Sequence, residues 1–270
     1  MSRIPLDGAP VAVIKIGGSI LRRAKDYGRA AAFVRNRYRA SPAERLVVVV
    51  SAQEGATDSL ERTARKIARQ AHPGVLDLLW CTGELRSVAL LALHLQKLGI
   101  SAAALNVHEA GLQVPDSECG VAGVRLNPRH LHAALARYPI AIVPGFLATN
   151  PAHAVVSLGR GGSDLTAVIL AEGLDACRCE LIKDVPGYFS SDPHRDPAAR
   201  HLPNLTFEQA LTLTDDGCDL VQRKAIEAAA RCGLPLVVRS LDEGAPVSHI
   251  TNAKIDVTWA ETIPSAAAAT

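Results

Sequence analysis

Two stretches of this chain set charged side chains against bare backbone. In the first, the apolar run Val11-Ala12-Val13-Ile14-Lys15-Ile16 carries one lysine near its end and passes straight into Gly17-Gly18-Ser19. A point charge beside unobstructed amides is an arrangement for phosphate. The lysine precedes the glycines, so this is not a Walker A loop. Its place inside an apolar strand argues against a side chain that merely snorkels to solvent. The second stretch is Ser157-Leu158-Gly159-Arg160-Gly161-Gly162-Ser163-Asp164, which leads from a short strand into an apolar helix. Its three glycines let backbone approach a ligand closely, and amides at a helix start favour anions. Arg160 adds a fork suited to a carboxylate. Ser163 and Asp164 can cap the helix, or Asp164 can point into the site. An acid placed where an anion could bind implies a cation nearby.

Other polar groups fall at similar junctions. Ser51 to Asp58 is a polar loop at the end of the apolar strand Leu46 to Ser51, and ligands of open parallel sheets bind at this edge. Thr57 or Asp58 is placed to cap the next helix, Ser59 to Gln70. Pro73 starts a long helix that Cys81-Thr82-Gly83-Glu84 is expected to interrupt, presenting Glu84; an exposed helical glutamate is the plainer alternative. A later strand, Arg178 to Lys183, ends in Lys183-Asp184-Val185-Pro186-Gly187-Tyr188.

The elements that must carry these groups alternate. Strands are expected at Val11–Ile16, Leu46–Ser51, Ile100–Leu105, Ile140–Val143, Arg178–Lys183 and Pro235–Arg239, with helices between them. Continuous apolar strands alternating with helices specify an α/β fold around a mainly parallel sheet buried on both faces. Asn150 to His153 reads as a hairpin turn, and Ser190 to Pro203 as an irregular surface loop. Thr206 with Gln209 forms a capping box, and a last helix is expected over Leu220 to Cys232. Asn106 to Asn127 shows no period that assigns it. The Ala-rich tail after Pro264 is expected to be disordered.

Composition narrows the function. The 270 residues are 48% hydrophobic and 21% charged with a net charge of +2, which offers no basic footprint for nucleic acid. Aromatic content of 4% leaves few stacking platforms for single strands. No apolar run reaches membrane-spanning length and no secretory leader is visible, so a cytoplasmic protein without a membrane partner is expected. Cys177-Arg178-Cys179 lacks a second pair at finger spacing and reads as buried thiols at a strand start, so no protein metal site is expected.

In order along the chain, these stretches resemble the amino acid kinase superfamily, and within it the catalytic domain of aspartate kinases. The matching pieces are Lys15-Ile16-Gly17-Gly18-Ser19, Val50-Ser51-Ala52 with Thr57-Asp58, Gly83-Glu84 with Ser87, Pro144-Gly145-Phe146, Gly159 to Asp164, Asp184-Val185 with Gly187, and Asp192-Pro193. The resemblance implies one kinase domain with a three-layer αβα sandwich, an acceptor-binding lobe to about residue 170 and a nucleotide-binding lobe from about 171 to 260. It implies that Lys15, Gly17 and Gly18 hold the transferring phosphoryl group and that Asp164 organises the lysine and the acceptor. Ser51, Thr57, Glu84, Arg160 and Gly161 would grip an amino-acid acceptor, with Arg160 on its α-carboxylate and Glu84 near its ammonium. Ser19, Lys183, Asp184, Gly187, Tyr188 and Arg195 would lie along the nucleotide. ATP with Mg²⁺, an acyl phosphate product and a homodimer are implied by the same resemblance.

The sequence also departs from the aspartate kinase pattern. Ile16 and Ser19-Ile20 stand where Phe and Thr-Ser are usual, Lys183 replaces a threonine, and Asp219 replaces a nucleotide-contacting lysine. Lys183 is placed to compensate for that charge reversal; weakened or lost nucleotide binding is the alternative. The residues after Leu241 are too few for a regulatory ACT domain, so feedback through one is not expected in this chain. Three functions are carried forward: a kinase of aspartate or a close analogue, a specialised kinase of another small acceptor, and a nucleotide-binding homologue without turnover.

Overall fold

The Val- and Ile-rich runs sit side by side at the centre of one sheet because both of their faces are covered. The computed structural model describes residues 8–115, 123–159, 161–193 and 195–252; Arg160 and the expected disordered tail lie outside them. In chain order the elements are β1 (Val11–Ile16), α1 (Ala24–Ala40), β2 (Arg45–Val50), α2 (Ala56–Ile67), α3 (Pro73–Lys97), β3 (Ala102–Ala104), α4 (Val107–Ala110), β4 (Leu112–Gln113), β5 (Arg125–Leu126), α5 (Arg129–Leu135) and β6 (Ile140–Pro144). They continue as β7 (Leu147–Thr149), β8 (Val155–Ser157), α6 (Gly162–Gly173), β9 (Arg178–Ile182), β10 (Tyr188–Phe189), β11 (His201–Leu202), β12 (Asn204–Thr206), α7 (Phe207–Asp215), α8 (Arg223–Cys232), β13 (Leu236–Arg239) and β14 (Ser248–Thr251).

The main sheet has the order β12-β14-β13-β9-β1-β2-β6-β3. All its pairings are parallel except β13 with β14. Side-chain alternation sends Val11, Val13, Val47 and Val49 to one core with α6 and α8, and Ala12, Ile14, Leu46 and Val48 to another with α1 and α3. Each such Val, Ile or Leu side chain contributes about 1.5–3 kcal/mol when fully buried, so helix, sheet and helix layers hold one another in place. The expected three-layer αβα sandwich is present. Strand order reverses at β1, whose neighbours are β2 on one side and β9 on the other. A crevice at the carboxyl ends of these strands is where such sheets bind ligands.

The face opposite α6 buries a charge network. Glu180 of β9 is fully buried and accepts from Arg37 Nη2 at 2.6 Å and Arg178 Nε at 2.8 Å, with Arg239 Nη1 at 3.7 Å. Arg178 also grips Glu44 through both terminal nitrogens, at 2.6 and 2.7 Å. Such a network ties α1, β9 and β13 together.

Several expectations change. α3 runs unbroken through Gly83. A glycine inside a helix costs about 1 kcal/mol against alanine, but a Cβ there would stand 3.3 Å from the Ala52 Cβ, a tight contact that its absence relieves. Helix α2 begins at Ala56 behind Gly55, so neither Thr57 nor Asp58 is its cap. α8 begins at Arg223 rather than Leu220. The segment that had no readable period holds α4, β4 and β5 among its described residues, with β4 and β5 in a small sheet of order β5-β4-β7-β8. The hairpin through Asn150 to His153 joins β7 and β8 as expected. The loop from Ser190 includes β11, which pairs with β10. Cys179 is buried as expected, whereas Cys177 is exposed. Among the described residues no helix is long and apolar enough to cross a membrane.

Candidate active site

Lys15 ends β1 on the α6 side of the sheet and Asp164 lies in the first turn of α6, so the two meet over the strand end. Lys15 Nζ is 2.7 Å from Asp164 Oδ1, and Lys183 Nζ, one residue past β9, is 2.8 Å from Oδ2. The backbone amide of Gln222, at the start of α8, donates to the same Oδ2 at 3.3 Å. Burial alone would push the Asp164 carboxyl up; the two ammoniums outweigh it and hold Asp164 well below the usual carboxylate range. The cation that the sequence implied beside Asp164 is therefore a pair of lysines.

Two cavities open from this point. One, of about 640 Å³, is lined by Lys15, Gly18, Ser51, Thr57, Glu84, Gly161 and Asp164, together with Phe146, Gln222 and Arg223. The other, of about 620 Å³, is lined by Ser19, Asp184, Gly187 and Phe189, with Asp216 and Cys218. Lys183 and Asp219 line both. Of the residues expected around an acceptor, Ser51, Thr57, Glu84 and Gly161 gather in the Lys15 cavity, and most of those expected along a nucleotide gather in the Gly187 cavity.

Glu84 reaches the Lys15 cavity from the middle of α3, whose buried positions Asp77, Cys81, Glu84, Val88, Leu91 and Leu95 follow helical spacing. Its Oε2 is buried without a hydrogen-bond partner. Burial pushes its carboxyl up to about 8, with the Ala52 amide and Lys15 offsetting only part of that cost. A buried acid of this kind awaits a cationic partner.

Three expected site residues stand elsewhere. Gly17 is buried and its amide donates to Ile182 O at 3.4 Å, so the anion-facing position of that turn falls to Gly18. Tyr188 is fully buried in the α6-side core, because β10 turns it inward. Arg195 is 88% exposed and pairs with Asp192 at 3.3 Å, outside the cavity walls. Arg160 lies outside the described residues.

The sequence did not reveal Gln222 or Thr166, and it offered Ser163 only as a helix cap, whereas the N-cap of α6 is Gly161 with no side-chain cap bond. A Cβ on Gly161, which adopts φ 76°, would stand 2.5 Å from Gln222 Nε2, so the glycine turn and α8 are fitted to each other. Thr166 Oγ1 accepts from the Phe146 amide at 3.1 Å, and a Cβ on Gly145 would stand 2.5 Å from Ser163 Oγ. The available signal was Pro144-Gly145-Phe146, a strand-end turn facing the glycine-rich helix start.

With this geometry in hand, similarity to known proteins is decisive. The profile of the amino acid kinase family matches residues 10–240. This chain belongs to that family. The aspartokinase of Thermus thermophilus is 39% identical over 197 residues, 73% of this chain and 48% of the relative. That of Mycolicibacterium smegmatis is 33% identical over 252 residues, 93% of this chain and 59% of the relative. The solved aspartate kinase of Synechocystis superposes with a TM-score of 0.77 at 31% identity, covering 92% of this chain and 41% of that one. The chain therefore spans about half the length of the relatives it matches.

Amino acid kinases work with phosphates, which raises the question of a metal ion. Among the described residues no group of three or more His, Cys, Asp or Glu side chains could hold one. Asp184 and Asp219 nevertheless line the Gly187 cavity. One or two carboxylates fit a Mg²⁺ that arrives on phosphate oxygens, the usual way this ion is held.

Proposed function

We propose that this protein transfers the γ-phosphoryl group of ATP to the side-chain carboxylate of aspartate or a close analogue, giving an acyl phosphate. One observation carries the reading: the Lys15–Asp164 pair lines one of two cavities that meet at Lys183 and Asp219, and the same cavity contains Glu84, whose Oε2 is buried without a hydrogen-bond partner. ATP lies in the Gly187 cavity and the amino acid in the Lys15 cavity, so residues before about 170 serve mainly the acceptor and those after it mainly the nucleotide. Lys15 and the Gly18 amide bind the transferring phosphoryl oxygens. Arg160 holds the α-carboxylate, Glu84 faces the ammonium, and Ser51 and Thr57 fill the remaining wall. Asp164 holds Lys15 in place. An acceptor carboxylate is already ionised near pH 7, so the residues need only position it and neutralise charge. Asp184 and Asp219 would hold Mg²⁺, which would supply neutralisation of phosphate charge. A homodimer in the cytoplasm completes the proposal.

A second reading, a kinase of another small acceptor, is favoured by Asp219, which adds a carboxylate to the wall of the Lys15 cavity. ADP release over an acceptor series separates the two. Aspartate should be used well above succinate, with malate between them. Arg160→Lys should weaken acceptor use sharply while sparing ATP binding, because lysine cannot reproduce the fork. Efficient use of an acceptor without an α-carboxylate would move the assignment to the second reading.

A further inference from the structure

The Gly187 cavity has a strongly one-signed wall. Asp184, Asp192, Asp216 and Asp219 line it, and among the described residues its one basic side chain is Lys183. Arg22 and Arg195 pair with Asp184 and Asp192 from outside the cavity lining, so among the described lining residues the positive side chain stands at the end that joins the Lys15 cavity, where Lys183 faces both. Lys15, by contrast, lines only the acceptor-side cavity of the two.

The sheet explains how two lysines come to share one acid. β1 and β9 pair in parallel with Lys15 opposite Leu181, whose side chain packs in the α6-side core. Lys183 lies two residues further on, so continued alternation returns it to the same side. One carboxylate then fixes both ammoniums, through Oδ1 at 2.7 Å and Oδ2 at 2.8 Å. Lys15 alone would balance the charge of Asp164. The second lysine leaves this nearly buried contact group with an excess positive charge, which is costly unless an anion completes it.

We propose that Lys183 is a second catalytic cation, one that neutralises the leaving diphosphate while Lys15 neutralises the transferred group. This rests on the kinase reading above. In the transfer, the bond from the γ-phosphorus to the bridging oxygen breaks as a bond to an acceptor carboxylate oxygen forms. The electron pair leaves with ADP, and no proton moves. Charge grows on the bridging and β-phosphate oxygens on the Gly187 side, within reach of Lys183. Asp164 is the positioning residue for both lysines, which sets them on opposite sides of the bond being broken.

The experiment measures ADP binding by calorimetry in the presence of Mg²⁺, together with steady-state ADP release, for the wild type, Lys183→Thr and Lys15→Met. Threonine is the residue that the aspartate kinase pattern places at 183, so the fold should tolerate it. Lys183→Thr should weaken ADP at least about tenfold, as expected for a lost charge-assisted contact. It should lower kcat about 100-fold or more, the scale of a lost transition-state donor, with the acceptor KM little changed. Lys15→Met should lower kcat comparably yet leave ADP affinity nearly intact, since ADP lacks the group Lys15 binds. Lys183→Met is measured beside them and read in the same way as Lys183→Thr. Wild-type ADP affinity and kcat in a folded Lys183 variant would overturn the proposal. If neither Lys183 variant folds, Lys183 is a structural ion-pair partner and the proposal also falls. A wild-type protein that binds no ADP would instead overturn the kinase reading itself.

Discussion

At the scale of single residues the site rests on two acids with opposite fates. Asp164 is buried yet ionised, because two lysines and the Gln222 amide surround its oxygens. Removing Lys15 leaves Lys183 and that amide in place, so Lys15→Ala should fold almost normally while kcat falls by about 10²–10³ or more. Near-wild-type turnover in that variant would refute the phosphoryl-site assignment. Glu84 is buried without a matching cation, and its carboxyl is raised from 4.5 to about 8. Between these values the unfolded chain releases the proton while the folded one keeps it. The stability that Glu84 contributes is therefore full below pH 4.5 and is lost as pH rises through about 8. Glu84→Gln should flatten that part of the urea-midpoint profile against pH; an unchanged profile would contradict the assignment. An acceptor ammonium needs the ionised form, so acceptor affinity should rise from neutral pH towards about pH 8.5 in the wild type and lose this rise in Glu84→Gln.

At the scale of elements, each strand sorts its side chains between two cores, and the charged ones follow the same rule. Lys15 lands on the α6 face beside Asp164, while Glu180 of β9 lands on the α1 face among Arg37, Arg178 and Arg239. Glu180→Gln would leave three guanidinium groups around a neutral amide, and breaking a buried charge network costs about 3–5 kcal/mol. Urea denaturation should show a loss of that size, and a loss below about 1 kcal/mol would mean that solvent compensates the arginines. The central strands were legible in the sequence because burial on both faces demands unbroken apolar runs such as Leu46 to Val50. In the small sheet β8 was legible as the short strand before the glycines, but β4 and β5 were not, since two residues such as Leu112–Gln113 carry no period. Gly83 misled for a physical reason: in sequence a glycine reads as a break, whereas here it lets α3 pack close against Ala52. The family resemblance implied Tyr188 along the nucleotide, but the β10–β11 pairing turns it into the core. Most candidate site residues were legible because each ends a strand or starts a helix. The sharing of Asp164 by Lys15 and Lys183 was not, since it depends on the register between β1 and β9.

At the scale of the whole molecule, the reversal of strand order at β1 brings two cavities together at Lys183 and Asp219, beside the Lys15–Asp164 pair. The acceptor side is lined from α3, the β2 end and the α6 start, and the other side by the segments after β9 and α7. On the proposed reading, this division gives each substrate its own wall and makes their meeting point the place of transfer. The most direct test of the central claim traps the product. Purified protein is incubated with ATP, Mg²⁺, aspartate and hydroxylamine, and hydroxamate is measured beside ADP. The account predicts hydroxamate and ADP in equal amounts, both dependent on aspartate and both lost in Lys15→Ala. Aspartate-independent ADP release, or ADP release without hydroxamate, would contradict it.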